Sequence, residues 1–331
     1  MTKRLHKGIC IFLSFSWVFV LGMMGSISQV YGADEPYPTR PVNIIVPYAP
    51  GSAPDLSSKI WTDKMSEFIG QPLISVYKTG AGGSLGAAFA AKAKPDGYTV
   101  LVGSVSPLVL SPIVKKLDYK LEDFIILGTF SKAPLWLAVK SDARWKTFKD
   151  FVAEAKQSPN QFSVSTFGKL SAGDFILELI NKYAGIKMVN IPFKGTSEAL
   201  TALLGGHADA AIVAGASGLR ESGSIRILAV AEDQRLEGLQ DVPTFKEFGY
   251  PIVIPGMYCF CFPKGTSPKV VDRFADAQRK AGEKYQKEIA ANLKRVEQWI
   301  AFQTPEETQK KFKEVEGVFL KMAQELGAIA Q

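Results

Sequence analysis

Histidine is nearly absent from this chain. Its 331 residues hold two, His6 and His207. Metal hydrolases and Ser-His-Asp enzymes need at least one well-placed histidine, and metal sites usually need more. No metal site or Ser-His-Asp set is therefore expected; no Gly-x-Ser-x-Gly nucleophile elbow is read in the chain, and no cofactor is expected. His207, in Leu204-Gly205-Gly206-His207-Ala208-Asp209, reads as a surface residue at a helix end. Cysteine is almost as scarce, with Cys10, Cys259 and Cys261, so the chain is not a disulfide scaffold. Cys259 and Cys261 stand in the apolar string Met257-Tyr258-Cys259-Phe260-Cys261-Phe262. On a strand both point to one face, and residues two apart are poorly placed for a bridge; two buried thiols are expected. Strong charge of one sign is missing too. The formal net charge is +7 with no run of like charge, which gives no reason to expect a nucleic-acid partner.

The N-terminus is what the chain does have. Lys3, Arg4 and Lys7 form a basic head, an apolar run of 16 residues follows from Ile9 to Met24, and Val30-Tyr31-Gly32 is an acceptable cleavage triplet. This reads as a secretory signal peptide over residues 1–32. The run is shorter than the roughly 20 residues a spanning helix needs, and Cys10, at its front, is poorly placed for lipid modification. Removing 1–32 takes away three positive charges and no acid, so the net charge falls from +7 to +4, and 299 residues remain. That is enough for two domains with cores of their own. No later stretch is long and apolar enough to span a bilayer. Outside the cytoplasm, with no ATP and little NAD, such a chain binds, hydrolyses or scaffolds.

Beyond the leader, short apolar strands alternate with amphipathic stretches. Strands are expected at 42–46, 73–77 and 98–103, with helices at 55–69 and 85–94 between them. The helix at 55–69 carries Leu56, Ile60, Met65 and Phe68 at helical spacing. After a short helix near 108–114 come extended pieces at 124–127 and 135–139. The pattern then restarts, with helices at 147–157, 172–184 and 197–204 and strands at 162–166, 188–192, 208–213 and 225–231. An apolar strand at 258–262 returns to the first block, and two long helices close the chain at about 267–296 and 305–326. This order implies an α/β fold of two lobes, each a mostly parallel sheet flanked by helices, joined by two extended crossings. In such sheets ligands sit beyond the carboxyl ends of strands, at helix N-termini.

Several strand-to-helix loops carry the chemistry. In Pro47-Tyr48-Ala49-Pro50-Gly51-Ser52-Ala53-Pro54-Asp55 the glycine permits a tight turn and Pro54 suits the first helical turn. The free amides of that turn favour a carboxylate or phosphate. Asp55 there either stabilises the helix or orients the loop and its ligand. Thr79-Gly80-Ala81-Gly82-Gly83-Ser84-Leu85-Gly86 fails the dinucleotide fingerprint, because Leu85 stands where a glycine is required, and lacks the Gly-Lys-Ser/Thr ending of a phosphate loop. Ser104 and Ser106 end the third strand. Thr166, Lys169 and Ser171, and then Lys194 and Thr196, occupy two loops of the second block. Ser171 and Thr196 serve either as N-caps or as ligand contacts, and Lys169 and Lys194 are either solvated or lend charge to the cleft.

Taken in order, Pro47-Tyr48-x-x-Gly51-x-x-x-Asp55, Gly80-Ala81-Gly82-Gly83-x-x-Gly86, Pro95-Asp96-Gly97-Tyr98-Thr99, Ile191-Pro192-Phe193-Lys194-Gly195 and Leu228-Ala229-Val230 followed by Asp241-Val242-Pro243-Thr244 resemble the receptors of tripartite tricarboxylate transporters, the Bug proteins. The resemblance spans about 290 residues. It implies a two-domain periplasmic-binding-protein fold of the type II-like, Venus-flytrap kind. Domain 1 would comprise 33–136 and 257–331, and domain 2 would comprise 137–256. It implies a periplasmic, monomeric receptor, not an enzyme. Such a receptor captures a di- or tricarboxylate, an acidic amino acid or an aromatic acid and delivers it to inner-membrane transporter subunits. Tyr48, Ser52, Ala53, Asp55, Ser104, Ser106, Thr166, Ser171, Lys194 and Thr196 are the implied ligand-binding residues. The same fold also serves as the input of a membrane signalling kinase, and the sequence does not separate the two. The chain departs from the family pattern in having Gly51-Ser52 for Gly-Gly and an apolar Ile212-Val213-Ala214-Gly215, which favours a ligand with an apolar portion over citrate.

Overall fold

Strand-forming runs punctuated by glycine and proline assemble here into two sheets. The computed structural model describes residues 37–215, 218–237 and 239–327; the leader, its cleavage triplet and Cys10 lie outside the described residues. The first sheet is built from β1 (Val42–Val46), β2 (Leu73–Tyr77), β3 (Thr99–Ser104), β4 (Phe124–Lys132), β10 (Met257–Pro263) and β11 (Trp299–Ile300), in the order β11-β4-β10-β3-β1-β2. The second contains β5 (Leu135–Lys140), β6 (Ser163–Thr166), β7 (Val189–Pro192), β8 (Ala210–Ala214) and β9 (Ile225–Val230), in the order β7-β6-β8-β5-β9. β1 runs parallel to β2 and β3, and β6 to β7 and β8. The strands that enter from the other lobe, β5 and β10, run antiparallel to both of their neighbours. A chain crossing the hinge has to run away from it, against strands whose carboxyl ends point toward it. Leu135 and Trp136, assigned to the first lobe from sequence, pair in the second sheet.

Helices α1 (Ala53–Ile69), α2 (Ser84–Ala91) and α3 (Ser111–Val114) belong to the first lobe with the long α7 (Pro268–Arg295) and α8 (Pro305–Leu326); α4 (Phe148–Gln157), α5 (Ala172–Ala184) and α6 (Thr196–Leu204) belong to the second. The buried stripe of α1 is not the one its aliphatics suggest. Leu56, Ile60 and Phe68 are half-buried, while Ser57, Ser58, Trp61, Thr62, Met65 and Ile69 are buried. The small serines let the helix approach closely. The Trp61 ring packs edge-on to Phe130, and its Nε1 donates to Ser131 Oγ at 3.1 Å. Phe130 in turn stacks on Phe260 with ring centroids 4.4 Å apart. Cys259 and Cys261 are buried free thiols on one face of β10, with Sγ atoms 3.5 Å apart. Gly103 on β3 leaves room for them, since a Cβ there would stand 2.7 Å from Cys261 Sγ. Thr147, expected inside α4, is its N-cap and forms a capping box with Asp150. β11 is too short to show in the sequence pattern.

Candidate functional site

β1 and β3 are parallel neighbours, so the loops that leave their carboxyl ends emerge on one edge of the first sheet. The loop after β1 turns at Gly51, whose φ is +76°. Its amide donates to Asp55 Oδ2 at 2.7 Å; that carboxylate also receives Lys59 Nζ at 3.2 Å and, on Oδ1, the Tyr77 hydroxyl at 3.0 Å. Asp55 therefore ties the loop to α1 and β2. Ser52 is the N-cap of α1 by backbone geometry, but its side chain makes no capping bond. The helix ladder starts at Leu56, whose N–H donates to Ser52 O at 2.9 Å. Pro54 has no N–H, which leaves the Ala53 and Asp55 amides without a partner inside the helix.

The second lobe supplies the loops after β6 and β7. Asp174, near the start of α5, accepts the Leu170 amide at 2.8 Å and Lys169 Nζ at 3.1 Å, and Asn190 Nδ2 donates to it as well. The lobes meet through backbone and hydroxyl groups. Ala49 N–H donates to Lys194 O at 3.0 Å, Ser197 Oγ to Gly51 O at 2.6 Å, Ala172 N–H to Ser106 Oγ at 3.0 Å and Ser111 Oγ to Leu170 O at 3.2 Å. Gly82 and Gly168 face each other closely, and a Cβ on Gly82 would lie 2.8 Å from Ser171 N. This is a closed cleft.

Inside it is a narrow cavity. Its polar lining is Tyr48, Ser52, Ser104, Ser106, Thr196 and Tyr258; its apolar lining includes Leu135, Phe167, Ala172, Ala214, Pro255 and Met257. The volume open to the centre of a water molecule is about 30 Å³, room for about two waters. The N-termini of α1, α5 and α6 reach it through Ser52, Ala172 and Thr196. The hydroxyls of Ser52 and Ser104 are buried and have no hydrogen-bond partner in the protein. Burial pushes the Tyr48 hydroxyl up to about 12, opposed by the neighbouring Ser104 and Ser106 hydroxyls. Tyr48 stays protonated and donates to Gly82 O at 2.9 Å. Burial, and then Tyr48 nearby, push the Tyr258 hydroxyl upward as well.

Of the residues singled out from sequence, Tyr48, Ser52, Ser104, Ser106 and Thr196 line the cavity. Ala53 does not, although Ser52 and Pro54 on either side of it do. Asp55 is turned to the loop and β2, Thr166 Oγ1 donates to Asn190 Oδ1 at 2.9 Å, and Ser171 is the N-cap of α5, accepting from Asp174 N at 3.3 Å. Lys194 is exposed, and Lys169 is spent on Asp174. Thr196 is not an N-cap; Gly195 holds that position, and Thr196 Oγ1 donates to Ala214 O at 3.3 Å. Sequence reasoning missed the hinge wall of Leu135, Pro255 and Met257. Its one signal was the apolar run ending at Ala214. Gly82-Gly83-Ser84-Leu85-Gly86 does have the spacing of a serine-hydrolase elbow, contrary to the expectation that none occurs. It sits on a 3₁₀ turn, however, and Ser84 Oγ donates to Ala81 O at 2.8 Å. His207 is exposed beyond α6. Among the described residues no group of three or more His, Cys, Asp or Glu is assembled to hold a metal.

Two α/β lobes closed on a small cavity, with helix N-termini and buried hydroxyls turned inward, have the architecture of a solute-binding protein of the periplasmic type. The family model of the tripartite tricarboxylate transporter family receptor matches residues 58–301. The protein BugT of Bordetella pertussis is 32% identical over 241 residues, covering 71% of this chain and 74% of that protein. A protein encoded in the gbd 5′ region of Cupriavidus necator is 32% identical over 247 residues, 74% of this chain and 75% of its own. Among solved structures, a periplasmic transporter protein superposes with a TM-score of 0.83 at 30% identity, covering 88% of this chain and 99% of that one. The periplasmic binding protein BugD does so with 0.83 at 26% identity, covering 89% and 100%. The chain belongs to the tripartite tricarboxylate transporter family of receptors; it is a binding protein and not an enzyme. Among the described residues, no helix is long and apolar enough to cross a membrane.

Proposed function

We propose that this protein is exported to the periplasm by removal of residues 1–32, captures a small organic carboxylate between its lobes and hands it to the membrane subunits of a tripartite transporter, acting as a monomer. One observation carries the ligand class. The Ser52 and Ser104 hydroxyls are buried without a protein partner beside the N-terminus of α1. Buried polar groups are hydrogen-bonded as a rule, and a helix N-terminus selects for negative charge. A carboxylate satisfies both. The Ala53 and Asp55 amides face it from the loop, Ser106 flanks it on the same lobe, and Thr196 closes over it from across the cleft. Among the described residues the lobes change over at the crossings, the first before Leu135 and the return before Met257.

The mature chain, screened by thermal shift against organic acids, should be stabilised by the acid it binds; a ligand at a hundred times its Kd raises native stability by about 2.7 kcal/mol. The same acid, incubated with the protein and followed by mass, should not be consumed. Steady consumption would sink the receptor reading, as would the absence of any stabilising carboxylate.

A further inference from the structure

Behind the first turn of α1 stands Gln298. It follows the end of α7, which closes in a Schellman turn: Gln298 N–H donates to Leu293 O at 2.9 Å and Glu297 N–H to Lys294 O at 3.0 Å. The left-handed position of such a turn usually holds glycine. Here it holds Glu297, with φ +53°. Backbone strain of this kind persists where the surrounding structure over-determines it, and it clusters at functional sites. The turn leads into β11 and leaves the Gln298 side chain against α1, where Nε2 donates to Ala53 O at 3.0 Å.

Gln298 is 1% exposed, and its Oε1 has no hydrogen-bond partner in the protein. The amide orientation is set by Ala53 O, because the flipped amide would face one oxygen with another. As core filling this side chain is a poor choice. An apolar residue of the same length occupies the space and leaves no buried acceptor unpaired. It does not supply the bond to Ala53 O. The second lobe closes on the same spot. Gly215, just after β8, has φ +66°, and a Cβ there would stand 3.2 Å from Val296 O and 3.8 Å from Ala53 Cβ. Gln298 therefore sits where the end of α7, the start of α1 and the second lobe meet.

Resting on the receptor reading above, we infer that Gln298 is a positioning residue of the ligand site: by holding Ala53 O it fixes the first turn of α1 in the orientation that presents its free amides to the carboxylate. It does not touch the ligand, since Ser52 and Pro54 line the cavity and Gln298 does not. The Ala53 carbonyl and amide flank one Cα, so restraining the carbonyl restrains the amide as well. The polar side chain is kept at the expense of core stability, the usual direction of a trade between stability and function.

The test compares the mature wild-type protein with Gln298→Met and Gln298→Glu at neutral pH, by titration calorimetry and by melting temperature without ligand. The probes are acetate as a bare carboxylate and malate, glutamate and benzoate as larger acids; the one that binds wild type most tightly is carried to the variants. Gln298→Met removes the donor and the unpaired acceptor together. Its Kd should rise about threefold to tenfold, while its melting temperature equals or exceeds that of wild type. Gln298→Glu keeps the shape but turns a carboxylate toward Ala53 O, and its Kd should rise further. If Gln298→Met binds like wild type, or loses melting temperature with Kd unchanged, Gln298 is core filling and the inference is overturned, while the receptor reading stands on the wild-type titration. If none of the four probes binds wild type and no other carboxylate raises its melting temperature, the receptor reading fails and takes the inference with it.

Discussion

Ser104→Ala should make the unliganded protein slightly more stable and the liganded complex weaker. The Ser104 hydroxyl is buried at the carboxyl end of β3 and has no hydrogen-bond partner in the protein. It lies near the Tyr48 phenol but outside hydrogen-bonding geometry, and the Tyr48 proton is given to Gly82 O. An unsatisfied buried hydroxyl costs about 1–3 kcal/mol, part of which the substitution returns. A gain of about 1 kcal/mol is expected, or roughly 2 °C in melting temperature for a chain of this size. Ser165→Ala is the internal control. Ser165 is buried too, but its Oγ donates to Ala199 O at 2.9 Å, so its loss should destabilise by about 1 kcal/mol. With ligand present the sign for Ser104 reverses. Losing a hydrogen bond to a charged group costs about 1.5–3 kcal/mol, or about tenfold to a hundredfold in Kd. Scanning calorimetry without ligand and titration calorimetry with it give the two readings. If Ser104→Ala loses stability as Ser165→Ala does, the hydroxyl is already satisfied and the argument for the site fails. An unchanged Kd would equally remove Ser104 from the ligand's shell.

Four further expectations follow from named contacts. Ala53→Pro deletes one first-turn amide while Ser52, at ψ 159°, already has the extended backbone a following proline needs; Kd should rise about tenfold or more in a normally folded protein, and unaltered binding would move the site elsewhere. Gly82→Val places a Cβ 2.8 Å from the Leu170 carbonyl carbon across the cleft, at a φ of +63°; small-angle scattering should then show a larger radius than wild type in the presence of ligand, and identical scattering curves would refute the close approach as a condition of closure. Burial raises Glu232 to about 7, opposed by Lys132 and Lys311 and aided by Asp233; its folded value exceeds the unfolded one, so stability is lost as pH rises from about 4.5 to 7, and Glu232→Gln should gain on the order of 1–3 kcal/mol at pH 8 and nothing at pH 4, a pH-independent difference being the contrary result. Cys259 and Cys261 are buried, and burial holds the Cys261 thiol well above its ordinary range; iodoacetamide should leave both unmodified in the native protein, and a two-dalton mass deficit assigned to the pair would show a bridge instead.

Local chemistry determined a great deal of this molecule. β1, β2 and α5 occupy the spans their periodicity and flanking glycines or prolines indicate, because period and turn propensity are properties of a few consecutive residues. The order of strands and helices was enough for two α/β lobes with two crossings, and the spaced strings from Pro47 to Thr244 were enough for the family. The positions of Ser52, Ser104 and Thr196 beside the cleft followed from one topological fact, that parallel strands present their carboxyl ends together. What the sequence could not supply was which polar groups are already taken. Asp55 reads as a ligand contact until Tyr77, from another strand, is seen to hold it; Thr166 does so until Asn190 is in place. Trp61 displaces the aliphatic residues as the buried face of α1 because Ser131 and Phe130 are there to receive it. The apolar wall brings together Leu135, Ala214 and Met257 from three separate strands. Satisfaction and burial depend on neighbours that only the folded chain provides, so the tertiary structure alone decided which hydroxyls line the cavity and that no charged side chain joins them.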